Sequence, residues 1–241
     1  MRRDCAVVPA FQAAETVGAV VDDLRAALGV PVLVVDDGST DGTADAARGH
    51  GAEVLRHDRN RGKGAALASG LADAARRGFD AAVTVDADGQ HPGASARKVL
   101  EGSEDARALV LGVRDLESDG APSRNRFGNA VSNFFLSLFA QQPLRDTQCG
   151  LRRYPLPETL ALGARATGYA FEAEVILRAL AAGLPLVEVP IAAVYGAETL
   201  RRTHFRSVRD PARIVATVAR TMVELHLRPP SSHLAGERVD R

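Results

Sequence analysis

The sequence predicts an α/β fold: a single domain with a mostly parallel sheet flanked by helices. Three observations carry this. Up to Gly112, short apolar runs alternate with helical stretches, the order that builds βαβ units. The apolar runs are continuous rather than alternating, as in strands buried on both faces. The chain has 241 residues, 46% of them hydrophobic and 25% charged, enough for one large α/β domain.

Strands are expected at residues 6–9, 31–36, 52–57, 81–85 and 108–112, and helices at 16–28, 41–49, 62–77 and 95–100. Beyond Gly112 the pattern changes. Residues 124–140 read as a helix, with Phe127, Val131, Phe134, Phe135, Leu138 and Phe139 at helical spacing. Residues 143–157 are rich in Pro, Gly and Arg and read as a connection. A helix at 171–182 is ended by Gly183 and Pro185, and 185–195 reads as an extended pair broken by Pro190. A last helix spans 208–227, closing a catalytic domain over 1–228, with a disordered tail at 229–241.

Bulk properties exclude several classes. Formal net charge is zero, so no global field argues for nucleic acid. Cys5 and Cys149 do not make a disulfide framework, and Cys5 reads as core. No signal peptide opens the sequence and no apolar run approaches the ~20 residues of a spanning helix. A cytoplasmic protein is expected, with contact to a membrane surface left open.

Chemistry concentrates where the strands end. The run at 83–92, VTVDADGQHP, leaves the sheet in two carboxylates one residue apart, Asp86 and Asp88, followed by Gln90 and His91. Such a pair reaches one hard divalent cation if the chain turns there, and Mg²⁺ prefers one or two carboxylates plus substrate phosphates. Residues 31–43, PVLVVDDGSTDGT, repeat the design with Asp36 and Asp37. In open parallel sheets, ligands bind outside the carboxyl ends of the strands. Other nucleotide motifs fail. Arg61-Gly62-Lys63-Gly64 lacks the Ser or Thr and the earlier Gly of a P-loop, and no G-x-G-x-x-G follows the first strand. Residues 60–64 still present the amides of a helix start to an anion, or simply form a loop entering a helix.

Together, Val8-Pro9-Ala10-Phe11, Val35 to Thr43, Asn60 to Gly64 and Asp86-Ala87-Asp88-Gly89-Gln90-His91-Pro92 resemble family 2 glycosyltransferases. The Gln-His-Pro ending is most similar to the dolichol-phosphate (polyprenyl-phosphate) mannosyltransferase branch. Arg124–Asn129, Asp146 to Arg152 and Gly168 to Glu174 fit that branch too. The resemblance implies the A-type glycosyltransferase fold and an inverting transfer of a hexose from a GDP- or UDP-sugar to polyprenyl phosphate. It implies that Pro9, Phe11 and Asp37 hold the nucleoside, with Ala87 and Lys63 also on the donor side. Asp86, Asp88 and Gln90 would surround Mg²⁺ or Mn²⁺ and the diphosphate. Arg114 and Arg126 would face the diphosphate or the acceptor phosphate and, with Asp88, carry catalysis. Gln12-Ala13 departs from the usual Asn-Glu of that branch, leaving GDP versus UDP open.

The acceptor decides what else is needed. A hydroxyl needs a carboxylate base, and Glu172 or Glu174 is available, though on a helix the two diverge. A phosphate monoester is already charged near neutrality and needs cations instead. Arg124, Arg126, Arg145, Arg152 and Arg153 are candidates, each weighed against a surface role. Residues 196–209 read as a lid offering Arg202, His204 and Arg206, or as a plain surface loop. The aromatic face of 124–140 is a candidate for lipid contact. So is the last helix, with Arg209, Arg213 and Arg220 beside a stripe of Ile214, Val218, Met222 and Leu225. A non-catalytic nucleotide-sugar-binding subunit is the alternative of another class.

Overall fold

The computed structural model describes residues 2–117, 123–140, 142–168, 170–194 and 209–227. A seven-stranded sheet organises them. The strands are β1 (Asp4–Ala10), β2 (Val32–Asp36), β3 (Glu53–Arg56), β4 (Ala81–Thr84), β5 (Leu109–Arg114), β6 (Arg152–Pro155) and β7 (Leu186–Ile191). The helices are α1 (Val17–Leu28), α2 (Thr43–Gly49), α3 (Lys63–Arg76), α4 (Gly93–Leu100), α5 (Ser123–Ala140), α6 (Leu156–Ala161), α7 (Ala170–Ala181) and α8 (Arg209–Leu227). Strand order is β3-β2-β1-β4-β6-β5-β7, and every pairing is parallel except those of β6.

The continuous apolar runs are explained by two cores, one on each face. Successive side chains of a strand point to opposite faces. Val7, Leu33, Val35, Leu109 and Leu111 meet Leu67 and Leu71 of α3 and Val175 to Leu177 of α7. Ala6, Val8, Val32, Val34, Val83 and Val110 meet Val17, Val21 and Leu24 of α1 and Val99 of α4. Leu71 is fully buried, and its truncation to Ala costs about 2–5 kcal/mol by lost burial and cavity formation.

Two expectations are corrected. The connection predicted at 143–157 contains β6, a strand in the middle of the sheet, and the start of α6. Its Arg152-Arg153-Tyr154-Pro155 sequence hides it, because two strand positions are arginines whose charges are met by carbonyls inside the protein. Arg152 donates to the carbonyls of Cys149, Glu172 and Thr147 at 2.8, 2.9 and 2.7 Å. Arg153 donates to those of Ser103 and Asp105 at 2.9 and 2.6 Å. The extended pair predicted at 185–195 is one strand, β7, running through Pro190. β7 lies at the sheet edge, where a missing N–H is tolerated.

Helix α8 packs against α7 and α5. Val218 is buried in the core and Leu225 lies against it. Its apolar stripe is therefore turned inward in part, while Met222 and Val223 are exposed. Among the described residues no helix is long and apolar enough to cross a membrane.

Candidate active site

The carboxyl ends of β1, β2, β4 and β5 lie along one edge of the sheet, and the antiparallel β6 enters the sheet at that same end. The strand order runs from β1 to β2 and β3 on one side and to β4 on the other, so the point where the order reverses lies beside β1, between Asp37 and Asp86.

The loops on the β1–β2 side are stapled together by side-chain groups. Ser39 Oγ accepts from Gln12 N at 2.9 Å, Thr43 Oγ1 from Ala13 N at 2.8 Å and Asp41 Oδ2 from Ala14 N at 3.0 Å. Gln12 returns the contact, its Oε1 accepting from Thr40 N at 2.9 Å, and holds a left-handed backbone at φ 51°. Pro9 is buried in β1 and Phe11 lies half-buried just beyond its end.

Asp37 is buried and holds the loop before α3. Its Oδ1 accepts from Arg61 N at 2.9 Å and meets His57 Nδ1 at 2.7 Å, while Oδ2 accepts from Gly62 N at 2.7 Å. The loop 57–62 thus hangs on the carboxylate expected beside the nucleoside, and this fixes where α3 begins. Lys63, its first residue, reaches across to Asp86: Nζ lies 2.8 Å from Asp86 Oδ1 and 3.4 Å from Glu172 Oε2.

After β4 the chain turns. Asp88 Oδ1 accepts from Gln90 N at 3.0 Å, Ala87 is buried between the two acids, and Gln90 and His91 are buried behind them. The two carboxylates are driven apart in acidity. Burial raises Asp88 first, the charge of Asp86 adds to it, and the group reaches about 6. Burial also works to raise Asp86, but the charge and hydrogen bond of Lys63, helped by His91 and Arg114, hold it below the usual range. Burial pulls His91 down to about 4, so it is neutral at pH 7.

Arg114, at the end of β5, is set by Asp146. Asp146 is 1% exposed. It accepts from Arg114 N and Nε on Oδ2 at 3.1 and 2.7 Å, and from Nη2 on Oδ1 at 3.0 Å. The Asp146 loop is in turn buckled to α5. Asn133 Oδ1 accepts from Thr147 N at 2.9 Å, and Ser132 Oγ lies 2.9 Å from Thr147 Oγ1. Sequence reasoning quoted Asp146 as part of a motif and missed this role. A single acid two residues before a Gln-Cys-Gly turn carries no signal without the pairing.

The fold separates the two glutamates of α7. Glu174 accepts from Arg165 N and Ala166 N at 2.8 and 2.6 Å and from Arg178 Nε at 2.7 Å, so it organises the loop before α7. Glu172 points the other way, toward Lys63 and Arg152. Three of the arginines expected to bind an acceptor are engaged elsewhere. Arg152 and Arg153 bind interior carbonyls, and Arg145 pairs with Glu188 of β7 at 2.8 Å. Arg124 and Arg126 lie in α5, but their side chains are outside the described residues, as are Arg202, His204, Arg206 and the rest of the lid expected at 196–209 except its last residue, Arg209, which begins α8.

The chain is similar in sequence and in fold to several known proteins. An uncharacterized protein of Methanocaldococcus jannaschii is 32% identical over 206 residues, 81% of this chain and 83% of that protein. Polyprenol monophosphomannose synthase of Mycolicibacterium smegmatis is 30% identical, with 79% of this chain and 77% of that protein covered. A UDP-N-acetylglucosamine–dolichyl-phosphate N-acetylglucosaminyltransferase of Methanococcus voltae is 28% identical, covering 81% and 87%. The fold is shared with mannosyl-3-phosphoglycerate synthase from Rubrobacter xylanophilus, at TM-score 0.69 and 21% identity over 100% of this chain and 77% of that one. It is shared too with glucosyl-3-phosphoglycerate synthase from Mycobacterium tuberculosis in complex with Mn²⁺, UDP-glucose and phosphoglyceric acid, at TM-score 0.67 and 20% identity over 91% and 79%. The family model for glycosyl transferase family 2 matches residues 5–154, from β1 through the acid pair after β4 to β6, and the chain belongs to that family of glycosyltransferases.

Proposed function

We propose that this glycosyltransferase moves a hexose, mannose or glucose, from a GDP- or UDP-sugar to a polyprenyl or dolichyl phosphate, with inversion and with a divalent metal. The observation that carries the acceptor is the engagement of the α7 carboxylates. Glu174 binds backbone amides and Arg178, and Glu172 sits between Lys63 and Arg152. A hydroxyl acceptor needs a carboxylate base within hydrogen-bond reach. A phosphate monoester, whose second ionisation lies at about pH 6, attacks as an anion and needs none. The names of the relatives from Mycolicibacterium smegmatis and Methanococcus voltae support the same acceptor class.

The donor set suits Mg²⁺ or Mn²⁺. Asp86 and Asp88 stand at one turn, and Asp88 resists ionising because it is buried beside another carboxylate. Among the described residues no three acids, His or Cys gather into a closed cage. An open pair of carboxylates completed by diphosphate oxygens is the arrangement such ions accept. Asp86, Asp88 and Gln90 would hold the ion, which when bound supplies Lewis-acid stabilisation of the leaving diphosphate. Arg114, held rigid by Asp146, aims a fixed positive charge at the same developing negative charge. The β1–β2 loops carrying Pro9, Phe11 and Asp37 form the nucleoside end, with Ala87 and Lys63 beside the diphosphate. Arg126 and Arg202 complete the proposed phosphate contacts.

A lipid acceptor implies a membrane surface. Phe134 and Leu138 of α5 are 66% and 69% exposed, with Phe135 beside them, and Met222 and Val223 of the adjoining α8 are exposed too. This apolar face is the proposed peripheral contact on the cytoplasmic side.

The test is nucleoside diphosphate release from a panel of GDP- and UDP-sugars with Mg²⁺ or Mn²⁺. Each donor is tried with a short-chain polyprenyl phosphate and with the corresponding polyprenol. Release that requires both metal and the phosphate headgroup is expected. Equal release with the polyprenol, or with no lipid, overturns the acceptor assignment.

A further inference from the structure

Lys63 stands where a cation is wanted. Its ammonium lies 2.8 Å from Asp86 Oδ1 and 3.4 Å from Glu172 Oε2. Backbone closes around this contact. A Cβ placed on Gly150 would come 2.5 Å from Asp86 Oδ2 and 2.8 Å from Lys63 Nζ. The root of Lys63 is fixed as well. Gly62 N is tied to Asp37, and a Cβ on Gly64 would meet Gly168 O and Phe171 Cβ at 2.7 Å. Lys63 therefore reaches Asp86 from a rigid base, with Glu172 as a second anchor behind it.

One carboxylate does not readily serve an ammonium and a divalent cation together. Like charges at contact distance in a partly dry site repel strongly. Resting on the reading that Asp86 and Asp88 hold the metal, we propose that Lys63 is an internal counter-ion that occupies Asp86 until a nucleoside diphosphate arrives. The negative charge of the diphosphate draws the ammonium off Asp86, and Glu172 keeps it in the site. Asp86 is then open to bind the metal together with the diphosphate. Lys63 thereby couples the two binding events, and such coupling is reciprocal. The arrangement keeps the site from holding a metal without a donor, and keeps Asp86 neutralised while it waits.

The experiment measures protein-bound Mn²⁺ by water-proton relaxation enhancement, on Mn²⁺ alone and then with UDP or GDP. The proteins are the full chain and its Lys63→Gln, Lys63→Arg and Glu172→Gln variants, each checked for fold by circular dichroism. Lys63→Gln is expected to bind Mn²⁺ alone about tenfold more tightly, and to lose about the same factor from the nucleotide's effect on Mn²⁺ affinity. Lys63→Arg, which keeps the charge, should stay close to the parent. Glu172→Gln leaves the ammonium to lean on Asp86 alone, so its affinity for Mn²⁺ without nucleotide should fall. A folded Lys63→Gln with unchanged or weaker Mn²⁺ binding overturns the proposal. If Lys63→Gln does not fold, unchanged Mn²⁺ affinity in Glu172→Gln overturns it instead. If the parent protein binds no Mn²⁺ even with UDP or GDP, the metal reading itself fails and takes this inference with it.

Discussion

Arg152 gives the sharpest test of how this fold is held. It reads in sequence as a cation for an acceptor phosphate, yet it is 0% exposed and donates to three carbonyls from two segments. Replacing it by Met removes three charge-assisted hydrogen bonds, each worth about 1.5–3 kcal/mol, and leaves the carbonyls of Thr147, Cys149 and Glu172 without that donor. Removing the guanidinium also removes the cost of burying it, which offsets part of the loss. Breaking a buried charge of this kind by deleting one partner costs about 3–5 kcal/mol net. For a chain of this size that is a fall in Tm of about 6–20 °C. The assay is thermal unfolding of Arg152→Met beside Arg145→Met, whose guanidinium is exposed and pairs with Glu188. A surface pair is worth about 0–1 kcal/mol, so Arg145→Met should barely move Tm. Arg152→Met with unchanged Tm but a lost response to polyprenyl phosphate would refute the structural assignment.

Three further outcomes are expected. Asp88 has a folded pKa of about 6 against an ordinary 3.8, so folding penalises its ionised form. The penalty is absent below about pH 4, grows as pH rises, and is complete above about pH 6. Asp88→Asn should therefore raise the Tm of metal-free protein more at pH 8 than at pH 4, while turnover drops by about 10²–10³. Asp146→Asn releases the Arg114 fork; kcat should fall further than the KM for donor rises, read by steady-state kinetics. Gly150→Ala drives a methyl onto Asp86 and Lys63, so donor affinity measured by calorimetry should drop while Tm stays within a few degrees.

The alternating half of the sheet was legible because each strand serves two cores and so reads as an unbroken apolar run. β6 was not legible. Arg152 and Arg153 are compatible with a central strand only because carbonyls from residues 147–149, 172 and 103–106 surround their guanidiniums, and that enclosure exists only in three dimensions. The acid pair at 86 and 88 was visible because charge follows a buried strand so abruptly. Its setting was not. Lys63 and Glu172 are 23 and 86 residues away in sequence from Asp86, and nothing local to either marks the other. The divergence of Glu172 and Glu174 followed from helical geometry alone, but which of the two faces the site depends on how α7 docks against α3. Arg145, Arg152 and Arg153 fell away as acceptor cations for a related reason: sequence reports charge, and the packing decides whether that charge meets solvent, a carboxylate or a carbonyl.

The proposed reaction joins a sugar to a lipid phosphate at a metal-dependent site built on Asp86 and Asp88. The most direct measurement is mass spectrometry with ³¹P NMR of the product formed from a GDP- or UDP-hexose, Mg²⁺ or Mn²⁺ and a short-chain polyprenyl phosphate. A hexosyl phosphodiester of the lipid, absent when the metal is chelated and absent with Asp88→Asn, is the predicted result. A sugar linked to a hydroxyl, free hexose alone, or full phosphodiester yield in chelator would rule out that reaction at that site.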